Sequence, residues 1–64
     1  MAFIRRVACA FRADYRNKTL ATREALIEAA KPYETDEYDV SDIVWWLRDA
    51  GLIWQDERRR YHII

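Results

Sequence analysis

The sequence of 64 residues predicts an α+β domain, mostly α, in which three helices precede a C-terminal two-stranded β-hairpin. Apolar residues recur at helical spacing in three separate segments, and the single glycine, Gly51, directly follows the third of them. After Gly51, two runs rich in apolar and aromatic residues flank a polar turn. No linker or repeat divides the chain, so residues 1–64 are expected to form a single domain.

The first helix is predicted over residues 2–15. Phe3, Ile4, Val7 and Phe11 fall at helical spacing and form its apolar stripe. At about 100° per residue, the opposite side of the helix carries a basic stripe and the free thiol. These residues are Arg5, Cys9, Arg12 and Arg16.

Residues 17–21 are predicted to be a connection, and Thr22 is the expected N-cap of the second helix. Pro32 ends or kinks this helix, because proline lacks an N–H and restricts the residue before it. The predicted apolar face of the second helix consists of Leu26, Ala29, Ala30 and Tyr33.

The third helix follows an acidic connection over residues 34–39. Asp39 is the expected N-cap with Asp42 at the capping-box position, and Thr35 is a rival start. Gly51 ends the helix in a left-handed conformation. The predicted buried face consists of Val40, Ile43, Val44, Leu47 and Ala50, with Trp46 on its flank and Trp45 pointing away.

The segment from residue 52 to residue 64 is predicted to be a hairpin. A turn centred on residues 57–58 would pair Trp54 with Tyr61 and Leu52 with Ile63. Those four side chains would share one face of the hairpin. Trp54 is therefore expected in the core.

Composition excludes several classes of protein. With 52% apolar and 14% aromatic residues, the chain is not disordered. One Cys allows no internal disulfide, and one Cys with one His makes no metal-ligand set. A phosphate-binding loop needs more than one Gly. We therefore expect no enzyme, no metal and no cofactor. Without an apolar run of about 18 residues or a signal-peptide pattern, we expect no membrane segment and a cytoplasmic location.

The zero net charge conceals a strong asymmetry along the chain. Residues 1–31 carry seven basic and three acidic side chains, whereas residues 32–57 carry one basic and eight acidic side chains. Three arginines follow at positions 58–60. This bipolar distribution governs the choice of partner more than the total charge does.

The segment SDIVWWLRDAGLI at residues 41–53, followed by a polar turn and RRYHII at residues 59–64, resembles the ending of the winged helix-turn-helix superfamily. The resemblance implies that the third helix enters the DNA major groove and that the hairpin, or wing, contacts the backbone. We therefore expect a small regulator that binds double-stranded DNA. Its expected contacts are Arg58, Arg59 and Arg60, helped by Arg5, Arg12, Arg16 and Lys18, with Ser41 and Arg48 on the third helix.

A protein-interaction module is the alternative. Trp45 points away from the predicted core beside Asp42 and Asp49, and Asp36 and Glu37 lie in the acidic connection. An exposed Trp among carboxylates favours a basic protein partner. Small viral or mobile-element proteins that modulate a host protein are analogous. The basic stripe could also meet residues 34–42 of a second copy, so self-association is a further possibility.

Overall fold

A computed structural model describes residues 2–64. The elements are α1 (Ala2–Tyr15), β1 (Thr19–Leu20), α2 (Arg23–Ala30), a 3-10 turn (Lys31–Tyr33), α3 (Val40–Asp49), β2 (Ile53–Gln55) and β3 (Tyr61–Ile63). The predicted order of three helices followed by a hairpin is confirmed. None of the helices within residues 2–64 has the length and apolar character needed to cross a membrane.

The buried stripe of α1 is rotated relative to the prediction. Ala8 and Phe11 are fully buried, with Ile4 packed beside them, whereas Phe3 is 60% exposed. Phe3 was expected in the core, but it lies about 100° around the helix from Ile4 and so points away from the bundle. The ring of Phe11 stacks on Tyr15 at 4.8 Å between centroids. Phe11 is therefore the centre of the α1 contribution to the core.

The helix starts follow the predicted capping residues. The hydroxyl of Thr22 accepts a hydrogen bond from the backbone N–H of Ala25 at 3.0 Å. At α3, the Asp39 carboxylate accepts from the N–H of Asp42, and the Asp42 carboxylate accepts from the N–H of Asp39. This reciprocal capping box sets the start of α3 at Val40 and excludes the rival start at Thr35.

The end of α3 is closed by Gly51 in the left-handed conformation, with φ at 74°. The N–H of Leu52 donates to the carbonyl of Leu47 at 2.9 Å, and the N–H of Gly51 donates to the carbonyl of Arg48 at 3.1 Å. These two bonds form a Schellman motif. Ala50, which was expected in the core, is exposed because it caps the helix at this turn.

Replacing Gly51 with Ala should destabilise the fold by about 1 kcal/mol, because a Cβ disfavours the left-handed conformation. Nothing lies within 4 Å of the position that the new Cβ would take, so the cost would come from the backbone rather than from a clash. Chemical denaturation followed by circular dichroism would measure the change. The control is Ala50→Gly, which increases the backbone freedom of the adjacent residue instead. Equal stability of Gly51→Ala and the wild type would contradict the prediction.

The hairpin forms, but its register differs by one residue from the prediction. Ile53 pairs with Ile63, Trp54 with His62, and Gln55 with Tyr61. Tyr61 and Ile63 face the core as predicted, but Ile53 is their buried partner and Trp54 is 50% exposed. The prediction that Trp54 belongs to the core is therefore wrong.

The loop of the hairpin explains this shift. The N–H of Arg59 donates to the carbonyl of Asp56, and the N–H of Asp56 donates to the carbonyl of Arg60, each at 3.0 Å. Arg59 adopts a left-handed conformation with φ at 64°. This is the pattern of a three-residue hairpin loop with a bulge. One residue more than in a two-residue turn moves every residue of β2 to the other face.

A third strand, β1, lies within the predicted connection at residues 17–21. It pairs antiparallel with β3, placing Thr19 opposite His62 and Leu20 opposite Tyr61, so the sheet order is β1-β3-β2. A strand of two residues has no periodicity that a sequence could display. It exists because β3 offers a free edge next to it.

Candidate nucleic-acid interface

Two adjoining grooves occupy the side of the molecule where α2, α3 and the hairpin meet. The first, the α2–α3 groove, has a volume of about 240 Å³ and is lined by residues of both helices. The second, the loop groove, lies between the start of α2 and the hairpin loop. Arg23 and Tyr61 line both grooves, so the two form one continuous surface.

Four arginines from three segments border this surface. Arg23 begins α2, Arg48 lies near the end of α3, and Arg58 and Arg59 belong to the hairpin loop. We call these four residues the basic face. All four are exposed, and none forms an ion pair with any residue of the described part of the chain. Their guanidinium groups are therefore available to an anionic partner.

The hairpin loop is organised around the carboxylate of Asp56. One oxygen accepts from the backbone N–H groups of Arg58 and Arg60, both at 2.9 Å. The other accepts from Arg60 Nε at 2.9 Å and from His62 Nε2 at 2.7 Å. Through Nδ1, His62 lies 3.1 Å from the hydroxyl of Thr19 on β1. Asp56 thus connects the loop to the sheet and fixes the backbone that carries Arg58 and Arg59.

The hydrogen bond from His62 holds the pKa of Asp56 well below its usual value of 3.8, and the hydrogen bonds from Arg60 and Arg58 lower it further. A carboxyl group whose pKa is depressed by folding contributes stability above its unfolded pKa and loses that contribution as the pH falls. We therefore expect the hairpin to weaken as the pH drops below about 4.

The Asp56→Asn variant tests this expectation. At pH 7 its loop amides should exchange with solvent faster than those of the wild type, and it should lose the part of the acid sensitivity that Asp56 causes. Amide hydrogen exchange of Arg58 and His62 between pH 7 and pH 3 would measure both effects. Asp49→Asn, at an exposed carboxylate, is the control. Identical acid profiles for wild type and Asp56→Asn would show that Asp56 does not stabilise the loop.

Arg60 has a different position from its two neighbours. The sequence assigns it to DNA, but its guanidinium is paired with Asp56. Its first interaction is therefore with the loop itself.

The exposed side of α3 contributes Ser41, Trp45 and Arg48 to the α2–α3 groove. Trp45 is 67% exposed, consistent with its predicted direction away from the core. The Asp42 carboxylate is turned back onto the N-terminus of α3, where the helix dipole and the N–H of Asp39 partly offset its charge. Asp49 lies beside Trp45 and Arg48, so it is the carboxylate of α3 that opposes an anionic partner most directly.

Two other basic residues that were predicted to contact DNA, Arg12 and Lys18, lie at the other end of the sheet. Arg12 Nε donates to the main-chain oxygen of Ile64, and the carbonyl of Lys18 accepts from the N–H of Ile63. Both contacts are at the end of β3 far from the hairpin loop, roughly 10 Å along the strand. Arg16 directly follows the end of α1, and Arg5 lies nearly two helical turns before Arg12. None of these four residues lines the α2–α3 groove or the loop groove.

The acidic connection is largely exposed. Asp36 and Glu37 point to solvent, and the hydroxyl of Thr35 accepts from the backbone N–H groups of Glu37 and Tyr38. Glu34 accepts from the N–H of Val40. Asp36 and Glu37 are thus held on a short ordered turn before α3, and neither lines the two grooves.

Sequence reasoning missed Arg23, Gln55 and Tyr61 as residues of this surface. The position of Arg23 directly after the N-cap Thr22 is the one signal that could have indicated exposure. The other two depend on the hairpin register, because Gln55 and Tyr61 pair across the strands. Within the described residues, no cluster of His, Cys, Asp or Glu side chains could hold a metal ion.

Compared with known proteins, the chain matches no family model, no curated protein and no solved structure. The function of this chain is therefore inferred from the surface itself.

Proposed function

We propose that this protein binds double-stranded DNA through the basic face. The observation that carries the proposal is that Arg23, Arg48, Arg58 and Arg59 border one continuous surface without partners among the described residues. The lining of the two grooves holds these four cations and one carboxylate, that of Glu24, and this excess of positive charge favours a polyanionic partner. The arrangement of α3 beside a hairpin agrees with the resemblance to the winged helix-turn-helix superfamily.

In the proposed complex, Arg58 and Arg59 contact phosphates on one side of the groove and Arg23 contacts phosphates near the start of α2. Such contacts position the protein but carry no sequence information. Ser41 and Arg48 on α3 are the side chains suited to base edges. With only these two base-reading residues, sequence preference should be weak.

A titration of a labelled duplex of about 20 base pairs at several salt concentrations tests the proposal. Three phosphate contacts, from Arg23, Arg58 and Arg59, should give a slope of about −3 in a plot of log affinity against log salt. Binding should therefore be tight at low salt and fall steeply. Absence of binding at about 10 mM salt, where charges act over roughly 30 Å, would refute the proposal.

A basic protein partner is the second candidate, and the exposure of Trp45 beside Asp49 favours it. In that case the protein would bind a basic peptide such as a short polylysine, and Trp45→Ala would weaken that binding. A chain that binds the duplex but not the basic peptide supports DNA, and the reverse result supports the protein partner.

A further inference from the structure

The α2–α3 groove has features that phosphate contact by the hairpin loop does not explain. It is a concavity of about 240 Å³. Its floor is apolar: Leu26 is 2% exposed and Tyr61 is 8% exposed, and the half-buried Val44 also lines the groove. A phosphate group of DNA gains nothing from an apolar floor.

The rim of the same groove is cationic. Arg23 stands on α2 and Arg48 on α3, and none of the described lining residues carries a carboxylate. Guanidinium groups bind carboxylate and phosphate groups through paired hydrogen bonds. The indole of Trp45 offers a flat aromatic surface for stacking. The apolar floor and the aromatic wall favour a flat apolar ring system, and the two cations at the rim favour an acidic group attached to it.

We infer that the α2–α3 groove binds a small aromatic anion, namely one planar ring system that carries a single carboxylate or phosphate group. The ring system would lie on Leu26 and Val44 against Trp45, and the acidic group would meet Arg23 and Arg48. Sites for drug-sized ligands begin at about 300 Å³. A groove of about 240 Å³ therefore suits a smaller ligand, such as one ring system with one acidic group.

Binding of this ligand has a consequence that rests on the proposed function. Arg23 and Arg48 belong to the basic face, so an anion held between them would occupy two of its four guanidinium groups and lower its positive charge. The ligand and the duplex would then exclude each other. This would make the groove a site at which a small metabolite-like acid controls DNA binding.

The direct test uses the protein without DNA. The probes are 2-naphthoate and 2-naphthyl phosphate, with the neutral 2-naphthylmethanol as the matched control. The indole N–H signal of Trp45, assigned by its loss in Trp45→Phe, should shift saturably in two-dimensional NMR spectra with a Kd of about 1 mM or below. The signals of Trp46 and Trp54 are internal controls, since neither residue lines the groove. The neutral probe should bind at least tenfold more weakly than the two acids.

Variants locate the charge contribution. Arg48→Ala and Arg23→Ala should each weaken binding of naphthoate about tenfold, whereas Arg5→Ala on α1 should leave it unchanged. Dispersed spectra of each variant show that it remains folded. Equal affinity for the neutral probe, a main shift at Trp54, or no saturable shift up to roughly 5 mM would each overturn the inference.

The two proposals fail separately. Duplex binding is tested through Arg58 and Arg59, which do not line the α2–α3 groove. Duplex binding without any effect of the small acids would leave the proposed function standing and overturn the ligand site. A naphthoate shift without duplex binding would do the opposite.

Discussion

Replacing Arg58 and Arg59 together with alanine should lower the affinity for duplex DNA roughly ten- to a hundredfold at about 50 mM salt. The two side chains project from the hairpin loop into the loop groove and have no ion-pair partner in the described chain. Each lost phosphate contact removes about 0.9 from the slope of log affinity against log salt, so the slope should fall by about 2. Fluorescence anisotropy of a labelled duplex measures both quantities.

The matched control is Arg5→Ala with Arg16→Ala, which removes the same number of positive charges, one from α1 and one from the turn that follows it. Neither residue lines the loop groove or the α2–α3 groove. The control pair should change the affinity by less than threefold. If both double variants weakened binding equally, the interaction would depend on total charge, and the assignment to the hairpin loop would be wrong.

Replacing Phe11 with alanine should remove about 3–5 kcal/mol of stability and leave much of the protein unfolded at 25 °C. Phe11 is fully buried, and its ring packs against Tyr15 and, edge-on at 5.4 Å, against Tyr33. A domain of 64 residues has a total stability of roughly 3–10 kcal/mol, so this single cavity removes a large fraction of it. Urea denaturation followed by circular dichroism at 222 nm would show the loss.

Phe3→Ala is the control for this experiment, because it removes the same side chain from an exposed position of the same helix. Its stability should stay within about 0.5 kcal/mol of the wild type. Equal destabilisation by the two substitutions would show that the buried stripe of α1 is not centred on Phe11.

The helices could be predicted because their signals are local. Thr22 and Asp39 cap their helices through side chains three residues from the N–H groups that they accept from. Gly51 closes α3 through contacts within five residues. Such interactions depend on neighbours in sequence, so the sequence displays them directly.

The hairpin register could not be predicted in the same way. A bulge at Arg59, a residue without the usual preference for the left-handed conformation, moved Trp54 from the expected core face to the surface. The network around Asp56 stabilises this loop, and its partners include His62 six residues away. The sequence contains all of these residues, but no local pattern in it predicts which of them pair.

The residues of the candidate site, too, could be predicted only in part from the sequence. Arg48, Arg58, Arg59 and Ser41 were predicted from their place on α3 and the loop, whereas Arg23 was missed. The sequence also suggested that basic residues of α1 would join the hairpin arginines. The contacts of Arg12 and Lys18 place them at the opposite end of β3 instead. Proximity between segments depends on how the strands pair, which charge counts along the chain do not contain.

The sequence by itself determined the fold class, the three helices with their caps, the hairpin and the separation of charge along the chain. Those features follow from periodicity, capping and composition, which act over a few residues. Only the tertiary structure decided which strand edges pair, which side of the hairpin faces the core, and which arginines stand together. These features depend on contacts between distant residues, where a shift of one position in β2 reverses the exposure of every side chain on it.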